Sequence, residues 1–493
     1  MALISLRDFG MITPRPLFQN LTMTLGPGDR IGLVAGNGVG KTTLLRCVAG
    51  QIEPDCGSVV TSKGANLGFV EQEVPSGLLA LTLEEVLRRA LPPVQRQSEG
   101  WRVGAVLDEF STPEVLRGRP LEALSGGWQR LALLARAWVR QPDALLLDEP
   151  TNHLDAEKIE LLERWIGGPA ARTPMLIASH DRSFLDACTT RTLFLRPDLS
   201  RLYAHPYGNA RTLLADDDAA QGRKHAKDAK EVTRLRRNAG ELRNIGVNSG
   251  SDLLQKKSMQ LRDRAARLET TLRPAFSERS GLIRLASRDT HAKVLASIRD
   301  LTVTAPGGTV LFRIPKLDLH QGDRLVLLGR NGVGKSQLIL LLRRAMREAV
   351  PGVQVNPSLV LGYTDQGMQH LSDDQSPHRL IAMRLGIGDG RATGLLASAG
   401  ISVEAQSRAI GRLSPGQKAR LGLLTLRLAE PNFYLLDEPT NHVDIPGQEQ
   451  LEAELLAQGA TCVLVSHDRS FVQAVGTRFL LIANGQANEV AAP

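Results

Sequence analysis

The segment Ala35-Gly36-Asn37-Gly38-Val39-Gly40-Lys41-Thr42-Thr43 decides the fold of this chain, because the chain contains a second, closely similar segment. It returns as Gly329-Arg330-Asn331-Gly332-Val333-Gly334-Lys335-Ser336-Gln337. Three other motifs return in the same order, with LSGG at 124–127 matching LSPG at 413–416, LDEPTNH at 147–153 matching 436–442, and SHDR at 179–182 matching 466–469. Four motifs in one order at nearly one period predict two copies of the same domain.

Length and charge indicate a third unit between the two copies. The chain has 493 residues, and a domain commonly takes about 100–200 of them. Residues 223–273 hold 14 Lys/Arg against 6 Asp/Glu, an excess that equals the net charge of +8 of the whole chain. A basic element between two neutral domains predicts contact with a polyanion. We place the first domain at residues 1–208, the basic linker at 209–290 and the second domain at 291–493.

The linker sequence predicts a hairpin of two helices. Two series of apolar residues recur every three or four positions, which is typical of helices that pair along a narrow seam. They are Val232, Leu235, Ala239 and Leu242, and Leu261, Ala265, Leu268 and Leu272. The turn-forming residues 244–250 predict the break between two arms, each about 40 Å long at 1.5 Å per residue. A solvated spacer of fluctuating helix is the alternative.

Short apolar runs near the repeated motifs predict buried parallel strands. They cover residues 30–34, 144–147 and 175–178 in the first copy, and 324–328, 433–436 and 462–465 in the second. A helical segment follows each glycine-rich loop, at 42–49 and 336–346. This order predicts an α/β fold with the motifs at the carboxyl ends of the strands.

The glycine-rich loops predict phosphate binding. Backbone N–H groups of such a loop, together with the positive end of the following helix, hold phosphate oxygens. The loop lysine contacts the β- and γ-phosphates, and the hydroxyl after it binds Mg²⁺. The predicted ATP-binding residues of the loops are Gly36, Asn37, Gly38, Val39, Gly40, Lys41, Thr42 and Thr43, and Gly329, Arg330, Asn331, Gly332, Val333, Gly334, Lys335, Ser336 and Gln337.

Acids, histidines and glutamines at matching places predict hydrolysis of the nucleotide. An acid that ends a strand beside the phosphates can hold Mg²⁺, and a glutamate directly after it can orient or deprotonate the attacking water. A histidine can donate a hydrogen bond to the γ-phosphate, and a glutamine can reach both metal and water. The predicted metal ligands are Thr42, Gln72, Asp148, Ser336, Gln366 and Asp437. The predicted catalytic residues are Glu149, His180, Gln72, Glu438, His467 and Gln366.

These motifs resemble those of the ATP-binding cassette family, whose signature is the Leu-Ser-Gly-Gly element. In that family two P-loop ATPase domains, the cassettes, pair head-to-tail, so that each ATP lies between the P-loop of one and the signature of the other. The resemblance implies one ATP at Lys41 and a second at Lys335. ATP would hold the cassettes together, and hydrolysis would release them. The implied signature contacts are Ser414 and Gly416 for the first ATP, and Ser125, Gly126 and Gly127 for the second.

Within that family the chain is most similar to the F subgroup, which joins two tandem cassettes through a basic α-helical hairpin and carries Asp-Glu-Pro-Thr-Asn-His in both halves. The resemblance implies a monomer with intramolecular cassette pairing that binds the ribosome, where the linker contacts rRNA and peptidyl-tRNA near the exit site. It would act as a translation factor or as an antibiotic-resistance factor. Such binding weakens with salt. The linker residues expected to contact RNA are Arg223, Lys224, Lys227, Lys230, Arg234, Arg236, Arg237, Arg243, Lys256, Lys257, Arg262, Arg264 and Arg267.

The sequence departs from the family pattern at several positions. Ala35 replaces the leading glycine of the first loop, which requires a negative φ there. Pro415 removes one N–H of the second signature, and Trp128 stands where glutamine is usual. Phe9 is the nearest candidate for the aromatic ring that stacks on adenine, with Leu301 as its counterpart.

An alternative function remains open at this point. The cassettes alone would also suit the soluble twin ATPase subunit of a transporter with separate membrane subunits, although a transporter does not need a basic hairpin. A DNA-maintenance ATPase is a weaker option, since the chain has neither a long coiled-coil insertion nor zinc-like cysteine spacing. No apolar run approaches the roughly 20 residues that span a bilayer, and no secretory signal is visible. We therefore expect a cytoplasmic protein without membrane insertion.

Overall fold

The computed structural model describes residues 2–13, 15–272, 281–286, 293–368 and 370–492. In their described parts, Met1–Tyr207 and Ser280–Pro493 form one compact unit, and Gly208–Arg279 form another. Both copies of the repeat lie in the first of these units. We call the copy that contains Lys41 the first cassette and the copy that contains Lys335 the second cassette.

The first cassette alternates strands and helices. Its strands are β1 (Ile4–Thr13), β2 (Arg15–Leu25), β3 (Arg30–Val34), β4 (Cys56–Thr61), β5 (Leu67–Val70), β6 (Ala144–Asp148), β7 (Met175–Ala178), β8 (Arg191–Phe194) and β9 (Arg201–Tyr203). Its helices are α1 (Lys41–Val48), α2 (Leu83–Ala90), α3 (Pro93–Ser98), α4 (Trp101–Glu109), α5 (Glu114–Arg117), α6 (Gly126–Trp138), α7 (Ala156–Gly167) and α8 (Arg182–Cys188).

The strands of the first cassette form two sheets. The larger has the order β5-β6-β7-β3-β8-β9, in which β5 to β8 run parallel and β9 runs antiparallel. Every residue of β6 and β7 is buried, which explains why these strands are uninterrupted apolar runs. The smaller sheet is antiparallel, with the order β2-β1-β4. The parallel strands predicted at 30–34, 144–147 and 175–178 are therefore confirmed.

Two helices, α9 (Tyr207–Ser249) and α10 (Asp252–Thr271), form a hairpin in the part of the sequence that joins the two cassettes. Their lengths of 43 and 20 residues correspond to about 65 Å and about 30 Å at 1.5 Å per residue. The predicted seam is present, since Val232, Leu235 and Ala265 are buried together and the hydroxyl of Ser258 donates to the carbonyl of Ala239 at 2.7 Å.

The break between the two arms falls within the predicted residues 244–250, at their C-terminal end, because α9 continues to Ser249 and the chain turns at Gly250, where φ is +63°. Gly246, by contrast, lies inside α9. A Cβ atom added there would lie 3.1 Å from Cβ of Leu254 on the other arm. The glycine therefore allows the two helices to approach closely, and it stays within the helix although isolated glycines favour turns.

The second cassette repeats this arrangement. Its strands are β10 (Val294–Thr304), β11 (Val310–His320), β12 (Arg324–Leu328), β13 (Val353–Val355), β14 (Leu361–Thr364), β15 (Phe433–Asp437), β16 (Cys462–Val465), β17 (Arg478–Ala483) and β18 (Gln486–Val490). Its helices are α11 (Lys335–Ala345), α12 (Pro377–Leu385), α13 (Asp389–Ser398), α14 (Val403–Gln406), α15 (Pro415–Ala429), α16 (Ile445–Ala457) and α17 (Arg469–Val475).

Its strands form one continuous sheet with the order β13-β10-β11-β18-β17-β12-β16-β15-β14. The parallel strands predicted at 324–328, 433–436 and 462–465 are β12, β15 and β16. None of the helices in the described part of the chain combines the length and apolar character that a membrane crossing requires.

Candidate active sites

Each glycine-rich loop connects a buried strand to the start of a helix, β3 to α1 and β12 to α11. The glycines before the two lysines, Gly40 and Gly334, have φ of 103° and 108°, a conformation that glycine adopts without strain. Gly329 opens the second loop with φ of 145°, whereas Ala35 at the same place has no positive φ, as its methyl group requires. Both loops end at a helix N-terminus, which favours a bound phosphate.

At the first site, the loop lysine meets the predicted glutamate and histidine. Nζ of Lys41 lies 3.6 Å from Oε1 of Glu149 and 2.5 Å from Nε2 of His180. The backbone N–H of His180 donates to Oε2 of Glu149 at 3.1 Å. The strand ends of β3, β6 and β7 are neighbours in one sheet, so residues more than 100 positions apart converge beside the loop.

At the second site, the same groups converge with different contacts. Nζ of Lys335 donates to the carbonyl oxygens of Gly329 at 2.6 Å and of Arg330 at 3.1 Å. Nε2 of His467 lies 3.3 Å from Oε1 of Glu438 and 2.9 Å from Oδ1 of Asn331. Both lysines donate to a carbonyl of their own loop, since Nζ of Lys41 lies 3.3 Å from the oxygen of Ala35, but Lys41 also lies beside the glutamate.

At both sites, burial shifts the pKa values in the direction that favours the neutral form of each side chain. It raises the pKa of Glu149 to about 7 and that of Glu438 to about 7. It lowers the pKa of His467 to about 4 and that of His180 well below its ordinary value. Burial also lowers the pKa of Lys41, although the charge of Glu149 opposes this shift. Both glutamates are therefore suited to accept a proton near neutral pH, and both imidazoles are neutral.

A hydroxyl and an acid meet beside each loop, as the metal prediction requires. Thr42 hydrogen-bonds to Asp148, and Ser336 hydrogen-bonds to Asp437. Oδ2 of Asp148 is buried and has no hydrogen-bond partner among the described residues. One hydroxyl and one carboxylate fit Mg²⁺, which takes its remaining ligands from water and phosphate. Within the described residues, no three or more His, Cys, Asp or Glu side chains are grouped so that they could hold a metal.

Gln72 and Gln366 were predicted to contact the metal and the attacking water, and Phe9 was the nearest candidate for stacking on adenine. Gln72 and Gln366 lie just after β5 and β14, which pair with β6 and β15, and both are exposed. Their contact with metal and water stays a prediction. Phe9 is fully buried and stacks on Phe18 with ring centroids 5.6 Å apart, and its counterpart Leu301 is buried too. Packing between β1 and β2 occupies the ring of Phe9, so this nearest candidate for stacking on adenine has no exposed face.

The two signatures begin long helices. Oγ of Ser414 accepts the backbone N–H of Gln417 at 3.3 Å and caps α15. Pro415 occupies the first helical position, where the N–H of another residue would have no partner within the helix. Trp128 packs against the core of the first cassette, and the ammonium group of Lys158 lies 5.5 Å from its ring centroid.

The cassettes contact each other head-to-tail. The side-chain amide of Asn37 donates to the carbonyl of His442 at 2.8 Å, and its backbone N–H donates to Asp444 at 3.0 Å. Asn37 also lies against the opposite signature, since a Cβ atom added at Gly416 would be 2.4 Å from its Nδ2. The P-loop of the first cassette therefore meets the signature of the second.

The second P-loop makes the matching contacts. The side-chain amide of Asn331 donates to the carbonyl of His153 at 3.1 Å, and its backbone N–H donates to Asp155 at 3.3 Å. Arg330 also pairs with Glu157 at 2.7 Å. The repeated motif quoted from the sequence ends at His153 and His442, and the aspartates two positions later were missed, although Asn-His-x-Asp recurs in both halves.

A second contact between the cassettes lies at the repeated SHDR motifs. Arg182 pairs with Glu452 at 3.0 Å, and Arg469 pairs with Glu163. Between these pairs, the hydroxyls of Ser183 and Ser470 lie 2.7 Å apart. Of this motif, only the histidine was predicted to have a role, and the arginine two positions after it was missed.

Comparison with known proteins agrees with this architecture. The sequence profile of the ABC transporter family matches residues 18–152 and 312–441. The ATP-binding protein Uup of Caulobacter vibrioides is 32% identical over 97% of this chain and 76% of its own length. ABC transporter F family member 5 of Arabidopsis thaliana is 29% identical over 95% of this chain and 73% of its own length. The chain belongs to the ABC-F family.

Another relative of this ABC-F protein is the ribosome protection protein VmlR of Bacillus subtilis (strain 168), which is 27% identical over 97% of this chain and 87% of its own length. A solved structure titled RNase-L Inhibitor has the same fold, with a TM-score of 0.64, 18% identity, and coverage of 98% of this chain and 90% of that one. As an ABC-F protein with two cassettes, the chain binds and hydrolyses ATP.

Proposed function

We propose that this ABC-F protein acts on translating ribosomes in the cytoplasm, binding them when two ATP molecules close its cassettes and leaving them after hydrolysis. The observation that carries the proposal is the hairpin, on which all thirteen lysines and arginines expected to contact RNA are exposed. The relative VmlR is named a ribosome protection protein, which also supports binding to the ribosome.

The charge of the hairpin is suited to phosphate. Within the described part of the hairpin, three of the thirteen residues pair with glutamates: Arg234 with Glu231, Arg236 with Glu269 and Arg237 with Glu241. Exposed pairs of this kind contribute little to stability, so they are exchanged readily for phosphate contacts. Phosphate binding by an exposed helical pair needs no sequence-specific contact, which suits a structured RNA surface.

The proposed chemistry at the first site uses residues that already lie together. The loop N–H groups and Lys41 would hold the β- and γ-phosphates, and neutral His180 would donate a hydrogen bond to the γ-phosphate. Glu149 would accept the proton of the attacking water. Mg²⁺, held by Thr42 and Asp148, would neutralise phosphate charge. Lys335, His467, Glu438, Ser336 and Asp437 would act in the same way at the second site.

Closure would depend on the signature of the opposite cassette. Ser414 and Gly416 lie at the start of α15, and Ser125, Gly126 and Gly127 at the start of α6. An ATP bound at either P-loop would meet one of these helix starts, whose free N–H groups favour the γ-phosphate. Loss of that phosphate would remove the attraction, and the cassettes would separate.

The first experiment uses the double variant Glu149→Gln/Glu438→Gln, which should bind ATP without hydrolysing it. With MgATP at roughly 150 mM salt, this variant should sediment with ribosomes, and raising the salt should release it steeply. The wild-type protein should sediment to a smaller extent, because it leaves after hydrolysis. Absence of the double variant from the ribosome pellet at low and moderate salt would falsify the proposal.

The second experiment tests the hairpin directly. The change Lys224→Gln/Lys227→Gln/Lys256→Gln/Lys257→Gln in the ATP-locked background should lower the sedimented fraction at least about fivefold, because four phosphate contacts are lost. The matched control removes the same charge from exposed positions on the cassettes, at Lys63, Lys293, Lys316 and Arg347. Equal loss in both variants would mean that only the net charge of the protein matters, and would contradict a role for the hairpin.

A further inference from the structure

Arg130 is a buried arginine that none of the proposed chemistry uses. It lies on α6, five positions after Ser125, and only 3% of its surface is exposed. Its two terminal nitrogens donate to the backbone carbonyls of Glu71 and Asp148, and its Nε has no hydrogen-bond partner. Within the described residues it forms no ion pair with a carboxylate, so backbone oxygens supply its hydrogen bonds, while the nearby charges of Asp148 and Glu149 favour its charged form and oppose the effect of burial on its pKa.

The two carbonyls belong to peptides that matter for the first ATP site. The carbonyl of Glu71 is part of the peptide that leads into Gln72, and the carbonyl of Asp148 is part of the peptide that leads into Glu149. The N–H of this second peptide donates to the carbonyl of Ala178 at 2.8 Å. Both ends of the peptide before Glu149 are therefore held, at a residue whose φ is +49°.

Among the described residues of the second cassette, no arginine makes such a contact. The position five residues after Ser414 is Ala419, which is buried and whose methyl group cannot donate a hydrogen bond. There the residue two positions after Gln366, Met368, packs on α15, since a Cβ atom added at Gly422 would lie 2.4 Å from its sulfur. A thioether fills space but does not orient a carbonyl, whereas a guanidinium does both.

We propose that Arg130 is a positioning residue for the first ATP site, which holds the peptides of Gln72 and Glu149 in place for water attack, and that the second site works without an equivalent. The two sites therefore differ: in the first cassette, α6 positions the glutamate of the same cassette through Arg130, and in the second cassette α15 does not do so through an arginine. The inference rests on the proposed roles of Glu149 and Glu438 as the residues that activate water.

The test measures each site separately in the full-length protein. The variant Glu438→Gln leaves turnover to the first site, and the variant Glu149→Gln leaves it to the second. Adding Arg130→Met to Glu438→Gln should lower kcat for MgATP at least tenfold with KM changed less than twofold, because binding is kept and geometry is lost. Adding Arg130→Met to Glu149→Gln should change kcat less than twofold.

Two further variants separate positioning from stability. Arg130→Lys can donate to one carbonyl at a time, so it should retain part of the first-site turnover and should lower it at least threefold in the Glu438→Gln background. Arg117→Met is the matched control, because Arg117 also donates to a backbone carbonyl of the first cassette, that of Thr112, away from the site. It should leave kcat within twofold in both backgrounds. Should Arg130→Met not fold, Arg130→Lys decides alone.

The outcomes are distinguishable. Equal loss of kcat in both backgrounds, or no loss in the Glu438→Gln background, overturns the assignment of Arg130 and leaves the proposed function intact. Residual turnover by Glu149→Gln/Glu438→Gln overturns the roles of the two glutamates and this inference with them. A first-site loss accompanied by a rise in KM of the same size also overturns it, because Arg130 would then act on nucleotide binding.

Discussion

At the scale of single residues, the glutamate after each acidic strand end is one of several residues other than glycine that have a positive φ. Glu149 and Glu438 have φ of 49° and 51°, in the left-handed region that side chains other than glycine rarely adopt. Each is compensated by local hydrogen bonds. Their N–H groups donate to Ala178 and Val465, and their carboxylates accept the N–H groups of the two motif histidines. Strain retained at a buried acid in both copies is what a preorganised site requires.

The pH dependence of stability should depend in part on Asp181 at the cassette interface. Burial raises its pKa from 3.8 to about 7, with the like charge of Asp468 adding to the shift. The stability contributed by the neutral carboxyl is present below about pH 4 and is lost as the pH rises through about 7. Asp181→Asn keeps an acceptor for the helix cap at Phe184 but does not ionise.

We expect the melting temperature of Asp181→Asn to equal that of the wild-type protein at about pH 4 and to exceed it increasingly up to about pH 7, measured by thermal denaturation across a pH series. A difference between the two proteins that stays constant over this range would contradict the assignment. So would a melting temperature of Asp181→Asn that falls below wild type as the pH rises.

At the scale of elements, the two helices of the hairpin pack along a narrow seam that includes small residues. Ala239 is fully buried and Ala265 nearly so, and the hydroxyl of Ser258 reaches across the seam to a backbone carbonyl. Small side chains and Gly246 let the helix axes approach closely, so the pair stays narrow while its outer faces remain free for charge. A helix of 43 residues with exposed charge on most faces would be weak alone, and packing against α10 supports it.

Ala265→Glu should open the hairpin, because it places a charge between Val232 and Leu235 and destabilises the seam by about 1–3 kcal/mol. Hydrogen exchange should accelerate along α9 and α10 and stay unchanged in the cassettes, and ribosome sedimentation of the ATP-locked protein should fall. Ala266→Glu adds the same charge at the adjacent, exposed position and should have no such effect. Similar exchange in the two variants would show that the seam does not hold the arms together.

At the scale of the whole molecule, the cassettes are joined by contacts that repeat nearly symmetrically. Each P-loop asparagine reaches the segment after the opposite acid, and each SHDR arginine reaches an opposite glutamate. The symmetry is incomplete, because Nε2 of His180 contacts Lys41 while Nε2 of His467 contacts Asn331, and because Arg130 has no counterpart among the described residues. Two cassettes that share one interface can therefore form two ATP sites whose turnover depends on different residues.

The contact at the centre of this interface can be tested by cross-linking. The hydroxyls of Ser183 and Ser470 lie 2.7 Å apart, close enough for Ser183→Cys/Ser470→Cys to form a disulfide. Cys56, which is exposed, is first changed to serine. Mild oxidation without nucleotide should give an intramolecular cross-link that shifts migration on a non-reducing gel, and each single-cysteine variant should give none. Failure of the pair to cross-link would place the two motifs apart in solution.

The sequence by itself determined the duplication, three buried parallel strands in each copy, the paired helices of the linker, the P-loops and the residues expected at each site. These follow from local patterns, because residue types at fixed spacing specify a buried strand, a loop that needs glycine or a helix seam. Only the tertiary structure decided that Phe9 belongs to the core, that α9 runs through Gly246, that Asn37 meets Asp444, and that Arg130 holds the carbonyl of Asp148. Each of these depends on which segments distant in the sequence pack against each other, and a local pattern of residue types does not specify such packing.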